Sequence, residues 1–212
     1  NKAEDLEKEE ELIFSDEKVF DGGVSLVQKD KSTDLVHISY STPKTQSRVY
    51  LYNLKSKEKK LMKEQIIPSG HNPDDYIVER FDCESHDGRK VPITITRHKK
   101  TNIDGNANLL LYGYGSYGNS MSPSFSSTRL SLVNRDIIWV TAHIRGGLER
   151  GMKWWKEGKL LNKKNTFEDY IAAAKFLIEK KYTSKGKIIG MGGSAGGLLM
   201  GAVVNQSPDI FL

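Results

Sequence analysis

A chain of 212 residues with 37% apolar and 28% charged residues, nine tyrosines, seven phenylalanines and three tryptophans is composed as a folded protein and excludes a disordered one. Lys and Arg number 32 against 27 Asp and Glu, a formal charge of +5, and no apolar run approaches the roughly 18 residues of a membrane span. The single cysteine, Cys83, excludes an internal disulfide framework and a cysteine-built zinc cluster, and the acidic start (Glu4, Asp5, Glu7, Glu9, Glu10, Glu11) does not open as a secretory signal does, so a soluble, cytoplasmic protein without a membrane partner is expected.

Residues 12 to 66 read as short strands, at 11–14, 24–27, 35–40 and 48–52, separated by turn chemistry at Asp21-Gly22-Gly23 and Ser41-Thr42-Pro43. That spacing suits a sheet meander or a propeller blade. The densest basic stretch, Lys55, Lys57, Lys59, Lys60 and Lys63, is interrupted by Glu58 and reads as a solvated hairpin turn between strands. It carries no interleaved aromatic platform, which argues against a nucleic-acid partner. After Pro68-Ser69-Gly70 the pattern changes: strands at 76–83 and 91–96 flank Ser85-His86-Asp87-Gly88, whose Asp-Gly pair marks a hairpin.

Strands and helices then alternate, as in an α/β domain with a largely parallel sheet. A strand at 107–112 leads to a short helix at 126–134 and a strand at 136–142. A long helix follows, capped by Asn165 or Thr166, with Glu168 and Asp169 in its first turn and Lys180-Lys181 at its end. Its residues Phe167, Tyr170, Ile171, Ala174, Leu177 and Ile178 recur at helical spacing. A strand at 187–191, a glycine cluster and an apolar helix at 195–204 complete the pattern; a sheet ending at 187–191 would expose a long apolar edge.

The glycine cluster, Gly192-Gly193-Ser194-Ala195-Gly196-Gly197, contains G-x-S-x-G between a strand and a helix, the setting of a nucleophile elbow. Such a turn is too tight for side chains two positions either side of the serine. Gly192 and Gly196 remove them, and Gly193 and Gly197 loosen the packing further. Ser194 is then exposed at the end of the sheet, with the Ala195 amide aimed into the same space. The alternative is a glycine-rich turn in which Ser194 is an N-cap. A second glycine loop, Gly113-Tyr114-Gly115-Ser116-Tyr117-Gly118, matches G-x-G-x-x-G with Asp136 beyond it, but Asn119 to Pro123 do not start the helix a dinucleotide site requires. Beside an elbow, the loop fits acyl chemistry better, with a tyrosine hydroxyl as a second oxyanion donor.

The segments 111–118, 142–147, 159–170 and 191–197 together resemble the prolyl oligopeptidase family, and most closely its oligopeptidase B branch, which cuts after basic residues. The resemblance spans about residues 35–212. It implies an α/β fold in which residues 1–68 end a β-propeller and residues 69–212 form the N-terminal part of an α/β-hydrolase catalytic domain. The chemistry implied is that of a serine peptidase acting on short peptides through an acyl-enzyme, with no metal and no organic cofactor. Ser194 corresponds to the nucleophile and Tyr114 to the oxyanion tyrosine, acting with the Ala195 N–H. Tyr117 corresponds to an aromatic lining the adjoining pocket, or else to a buried core aromatic. Arg145 and Glu149 fall in the family's Arg-Gly-Gly segment and are expected to form an ion pair shaping that loop.

Three departures accompany the resemblance. Ser122 and Ser124 stand where the branch carries an acidic pair, and Leu148 replaces a glycine. The family's triad runs Ser, acid, His along the chain. Here His37, His71, His86, His98 and His143 all precede Ser194, and Asp209 is the one acid after it. The expectation is therefore a hydrolase cut within its catalytic domain, with a C-terminal segment missing as partner. A catalytically inactive fragment and a general esterase of the same fold are the alternatives.

Overall fold

The computed structural model describes residues 17–27 and 33–212; the strand expected at 11–14 and the acidic start lie outside the described residues. The first sheet is an antiparallel meander in the order β1 (Asp21–Leu26), β2 (Leu35–Ser41), β3 (Arg48–Asn53), β4 (Lys59–Glu64). Alternation on β2 turns Val36 and Ile38 inward, where they pack with Tyr52 of β3. Two expectations change here. Asp21-Gly22-Gly23 is not a turn but the start of β1, with Gly22 opposite Tyr40 and Gly23 opposite Ser39. The lysine-rich stretch is mostly strand: the turn is confined to 53–57, where Asn53 Oδ1 accepts from the Lys55 and Ser56 amides at 2.9 and 3.0 Å. Every residue of β4 is exposed, and lysines along a strand edge discourage pairing with another chain.

The second sheet has the order β5-β6-β8-β7-β9, from β5 (Tyr76–Glu84), β6 (Lys90–His98), β7 (Leu109–Gly113), β8 (Ile138–Ala142) and β9 (Ile188–Met191). Only β8, β7 and β9 run parallel, while β5 and β6 form an antiparallel hairpin that continues antiparallel onto β8. The parallel character is thus confined to half the sheet, because the Asp87-Gly88 hairpin contributes two strands without a crossover. Gly88 closes that turn with φ +78° and its amide on the Ser85 carbonyl at 3.0 Å.

Among the described residues, four α-helices flank the sheet: α1 (Ser127–Val133), α2 (Met152–Lys156), α3 (Lys164–Glu179) and α4 (Ala195–Gln206). Val91, Ile93, Leu109, Leu111, Ile138 and Val140 are wholly buried beneath them, and Tyr170, Ala174 and Leu177 of α3 pack on the same cluster. The apolar stripe of α3 is as its spacing predicts, but its start is not. The helix opens at Lys164 after a 3-10 turn, Leu160–Asn162, with no side-chain cap. Thr166 and Asn165 are turned to other tasks: Thr166 Oγ1 donates to the Arg145 and Gly158 carbonyls, and Asn165 Nδ2 to the Glu157 carbonyl. The helix ends with Lys181 at φ +59° and the Tyr182 amide on the Leu177 carbonyl at 3.0 Å, a Schellman closure.

The β9 edge is less bare than expected. Ile188 is fully buried, Phe211 bridges to it in parallel, and the Leu212 amide donates to its carbonyl at 2.9 Å. The two sheets meet at His71, whose Nε2 lies 2.6 Å from the Lys44 carbonyl and whose ring stacks on Tyr76. No helix among the described residues is long and apolar enough to cross a membrane.

Candidate active site

Three residues, Gly192, Gly193 and Ser194, connect β9 to α4. Ser194 adopts φ +53°, ψ −118° and makes no side-chain capping bond to α4, so the N-cap alternative fails. A non-glycine residue held there costs on the order of 1–3 kcal/mol and persists where its surroundings over-determine it. The surroundings are close backbone. A Cβ on Gly192 would stand 2.6 Å from the Gly196 carbonyl oxygen, and one on Gly196 would stand 3.1 Å from that of Gly113. A Cβ on Gly193 or Gly197 would meet nothing within 4 Å, so these two glycines are not demanded by packing, contrary to expectation. Ser194 itself is exposed.

The tyrosine loop leaves β7 next to this elbow, since β7 and β9 are neighbours running in the same direction. The Cβ position of Gly196 lies 3.7 Å from the Tyr114 ring and 3.9 Å from its Cα, which puts Tyr114 against the first turn of α4. Gly115, at φ +62°, lies so close to Ile144 and the Arg145 carbonyl that a Cβ would stand 2.8 and 2.9 Å from them. Lys163 Nζ fastens the loop, donating to the Gly115 carbonyl at 2.6 Å and to Ser116 Oγ at 2.9 Å. Burial without a carboxylate lowers the pKa of that amine. Tyr117 is 78% exposed at φ +56°, which removes the buried-core alternative. It lines a cavity of about 450 Å³ together with Ala195, Leu198, Trp155 and Leu160.

The loop after β8 is anchored from beneath. Arg145 is 1% exposed and donates through Nε to Asp169 Oδ2 at 2.8 Å, through Nη2 to Asp169 Oδ1 at 2.5 Å, and through Nη1 to Asp87 Oδ2 at 2.5 Å. Ser85 Oγ completes the cluster on Asp169 Oδ1 at 2.6 Å. Desolvation opposes the guanidinium charge, but the bonds it donates to Asp169 and Asp87 outweigh that and raise the Arg145 pKa. At Asp87, desolvation is likewise outweighed, and the Arg145 bond holds its carboxyl below the ordinary range.

The expected Arg145–Glu149 pair is absent. Glu149 Oε1 instead accepts from the Met121 amide at 2.9 Å and lies 3.5 Å from His143 Nδ1. Each side chain is already engaged elsewhere: Arg145 by Asp169 and Asp87, and Glu149 by the Met121 amide and the His143 ring. His143 is 3% exposed, with Nε2 at 2.9 Å from Thr94 Oγ1 and 2.7 Å from Arg80 Nη1. Burial lowers its pKa against the opposing pull of Glu149. Asp209 is exposed and pairs with Lys185 Nζ at 2.6 Å. Ser122 is exposed, and the Ser124 carbonyl accepts from Arg129 Nη1 at 3.0 Å. Leu148 packs over Gly118, whose Cβ position lies 3.1 Å from its Cδ1.

Composition and spacing mark Asp87 as a hairpin residue and Asp169 as an acid near a helix start, but assign neither of them, nor Lys163 or Trp155, to this site. The readable signals were modest: an acid three residues past the buried Thr166, and a lysine one residue before the helix.

The chain is similar to several known proteins. The model of the prolyl oligopeptidase family matches residues 123–212. "Dipeptidyl aminopeptidase BI" of Pseudoxanthomonas mexicana is 41% identical over 200 residues, 94% of this chain and 27% of that protein. "Protease 2" of Moraxella lacunata is 40% identical over 186 residues, 88% of this chain and 27% of that protein. Oligopeptidase B from Trypanosoma brucei, solved in a closed form with covalently bound antipain, superposes with a TM-score of 0.85 at 38% identity, over 93% of this chain and 28% of that one. The chain thus spans about a quarter of the length of the relatives it matches.

Proposed function

The chain belongs to the prolyl oligopeptidase family, and from that premise we propose that it carries the nucleophile and oxyanion half of a serine peptidase site. In this reading Ser194 Oγ bonds to the carbonyl carbon of a peptide. The oxyanion is received by the Ala195 N–H and the Tyr114 hydroxyl. The C–N bond then breaks, the proton taken from Ser194 passes to the departing amine, and water hydrolyses the acyl ester. Tyr117 lines the adjoining pocket. Gly192 and Gly196 supply the close approach, while Gly193 and Gly197 accompany them without steric need.

The observation that carries the reading is Ser194 at φ +53° with no capping bond. A structural turn at this position would relax that strain with a glycine, and the sequence spends glycines on both sides instead. The domain assignment follows the same premise: residues 1–68 as the end of a propeller, residues 69–212 as the start of the hydrolase domain. The reading is of a cytoplasmic enzyme of short peptides, in keeping with one cysteine that is buried and unpaired.

The general base and its acid are proposed to lie on polypeptide outside these 212 residues. Among the described residues no histidine lines the cavity beside Ser194, and the His143 ring is engaged by Thr94 and Arg80. Cleavage after Lys or Arg rests on the resemblance to the oligopeptidase B branch, among relatives whose names span different specificities. Fluorogenic amides ending in Arg, Lys or Pro, offered to the full-length polypeptide that contains this chain, test both points. Turnover of the Arg and Lys amides that is abolished by Ser194→Ala is expected. Preference for Pro overturns the specificity, turnover of esters alone favours the esterase alternative, and activity persisting in Ser194→Ala overturns the nucleophile.

A further inference from the structure

Resting on the reading of Tyr114 as an oxyanion donor, we propose that Lys163 is the positioning residue of that tyrosine: it ties the loop after Tyr114 to the start of α3 and so holds the hydroxyl where the oxyanion forms. The backbone on the two sides of Tyr114 is fixed in different ways. Before it, Gly113 ends β7 and is held in the sheet opposite Ala142 of β8. After it the chain leaves the sheet, and Gly115 takes φ +62°. The Tyr114 ring rests on the first turn of α4, 3.7 Å from the Cβ position of Gly196. Its aim therefore depends on where residues 115 and 116 are fastened.

Two residues at the start of α3, three apart and so on one face, reach those positions. Thr166 packs its methyl against Gly115. Lys163 Nζ donates to the Gly115 carbonyl at 2.6 Å and to Ser116 Oγ at 2.9 Å. Gly115 is buried, and its carbonyl oxygen lies so close to Gly146 that a Cβ there would collide with it. A buried carbonyl deprived of its donor is costly, so without Lys163 the peptide after Tyr114 would turn toward another partner. The lysine is itself committed to this task. It is half-buried, no carboxylate pairs with it among the described residues, and burial lowers its pKa. Its ammonium gives up hydration for two acceptors on consecutive residues of one loop, and charged donors make the stronger bonds. A tether of that kind matters to rate, because displacing a reacting group by about 1 Å costs on the order of 100-fold.

The test is a double-mutant cycle in kcat on the full-length polypeptide that contains this chain, with whichever of the fluorogenic Arg, Lys or Pro amides it turns over. Tyr114→Phe is expected to lower kcat about 100-fold, the scale of one oxyanion donor. Lys163→Met should lower kcat at least about 10-fold, by no more than Tyr114→Phe does, and leave KM nearly unchanged. Because Lys163 acts through Tyr114, the double variant should be no slower than Tyr114→Phe alone, and Lys163→Arg should recover most of the lost kcat. Losses that multiply in the double variant, a raised KM at unchanged kcat, or Lys163→Arg as slow as Lys163→Met overturn the proposal. Ser116→Ala, which removes one acceptor and leaves α3 intact, replaces Lys163→Met if that variant does not fold. It should lower kcat by a smaller factor in the parent and not at all beside Tyr114→Phe, and an equal fall in both backgrounds overturns the proposal. Failure of the underlying reading looks different: Tyr114→Phe then keeps full kcat while Ser194→Ala is inactive. Full kcat in Lys163→Met beside a slow Tyr114→Phe overturns the tether alone.

Discussion

Ser194 sits in a backbone region that side chains avoid, and its neighbours explain how it is kept there. Gly192→Ala would drive a methyl against the Gly196 carbonyl; a loss of about 1–3 kcal/mol in denaturant unfolding is expected, the scale of overpacking. Gly197→Ala meets open space within α4 and should be neutral or stabilising by up to about 1 kcal/mol. Equal penalties for the two would contradict the elbow geometry. The glycine pattern showed that the turn was tight, but not which glycines were indispensable, because that depends on the Gly113 carbonyl of a strand almost 80 residues earlier. His143 carries a second prediction at this scale. Its pKa is lowered by burial, so the unfolded chain binds the proton more readily and stability should fall as pH drops below about 6.5. In His143→Gln that part of the pH slope should flatten, and an unchanged slope would show that His143 does not titrate against folding.

At the scale of elements, the Arg145 cluster joins three pieces far apart in sequence: the β5–β6 turn through Ser85 and Asp87, the loop after β8, and α3 through Asp169. The same loop offers the Arg145 carbonyl to Thr166 and the Gly146 carbonyl to the Gly118 amide at 2.9 Å, so the tyrosine loop is seated on it. Asp169→Ala leaves Arg145 buried without its deepest partner, and a loss of about 3–5 kcal/mol is expected. Asp87, which retains 35% side-chain exposure, should matter less when replaced by Asn. Its depressed pKa means the pair contributes fully above the unfolded value near 3.9 and is lost as pH falls through the lower folded value. Asp87→Asn should therefore reduce acid sensitivity below about pH 4. Residue periodicity gave the stripe of α3 and the strands around it. It did not give the start of α3, because Thr166, a natural cap, is recruited by Arg145 instead. It also missed α2, five residues with no capping side chain.

Across the whole molecule, an antiparallel meander is tied to a mixed sheet by His71, Tyr76 and Phe125, and Ser194 stands where two parallel strands end. The α/β alternation was legible because buried parallel strands and amphipathic helices write different periods. The split between parallel and antiparallel halves was not, since a hairpin and a crossover differ only in what lies between the strands. The most direct measurement is fluorophosphonate labelling with the adduct located by mass spectrometry, on the full-length polypeptide and on these 212 residues. An adduct on Ser194 in the longer form, absent in Ser194→Ala, is expected, with labelling at least about 100-fold slower in the 212 residues, the scale of a missing general base. An adduct on another residue, or equal labelling of both forms, would contradict it.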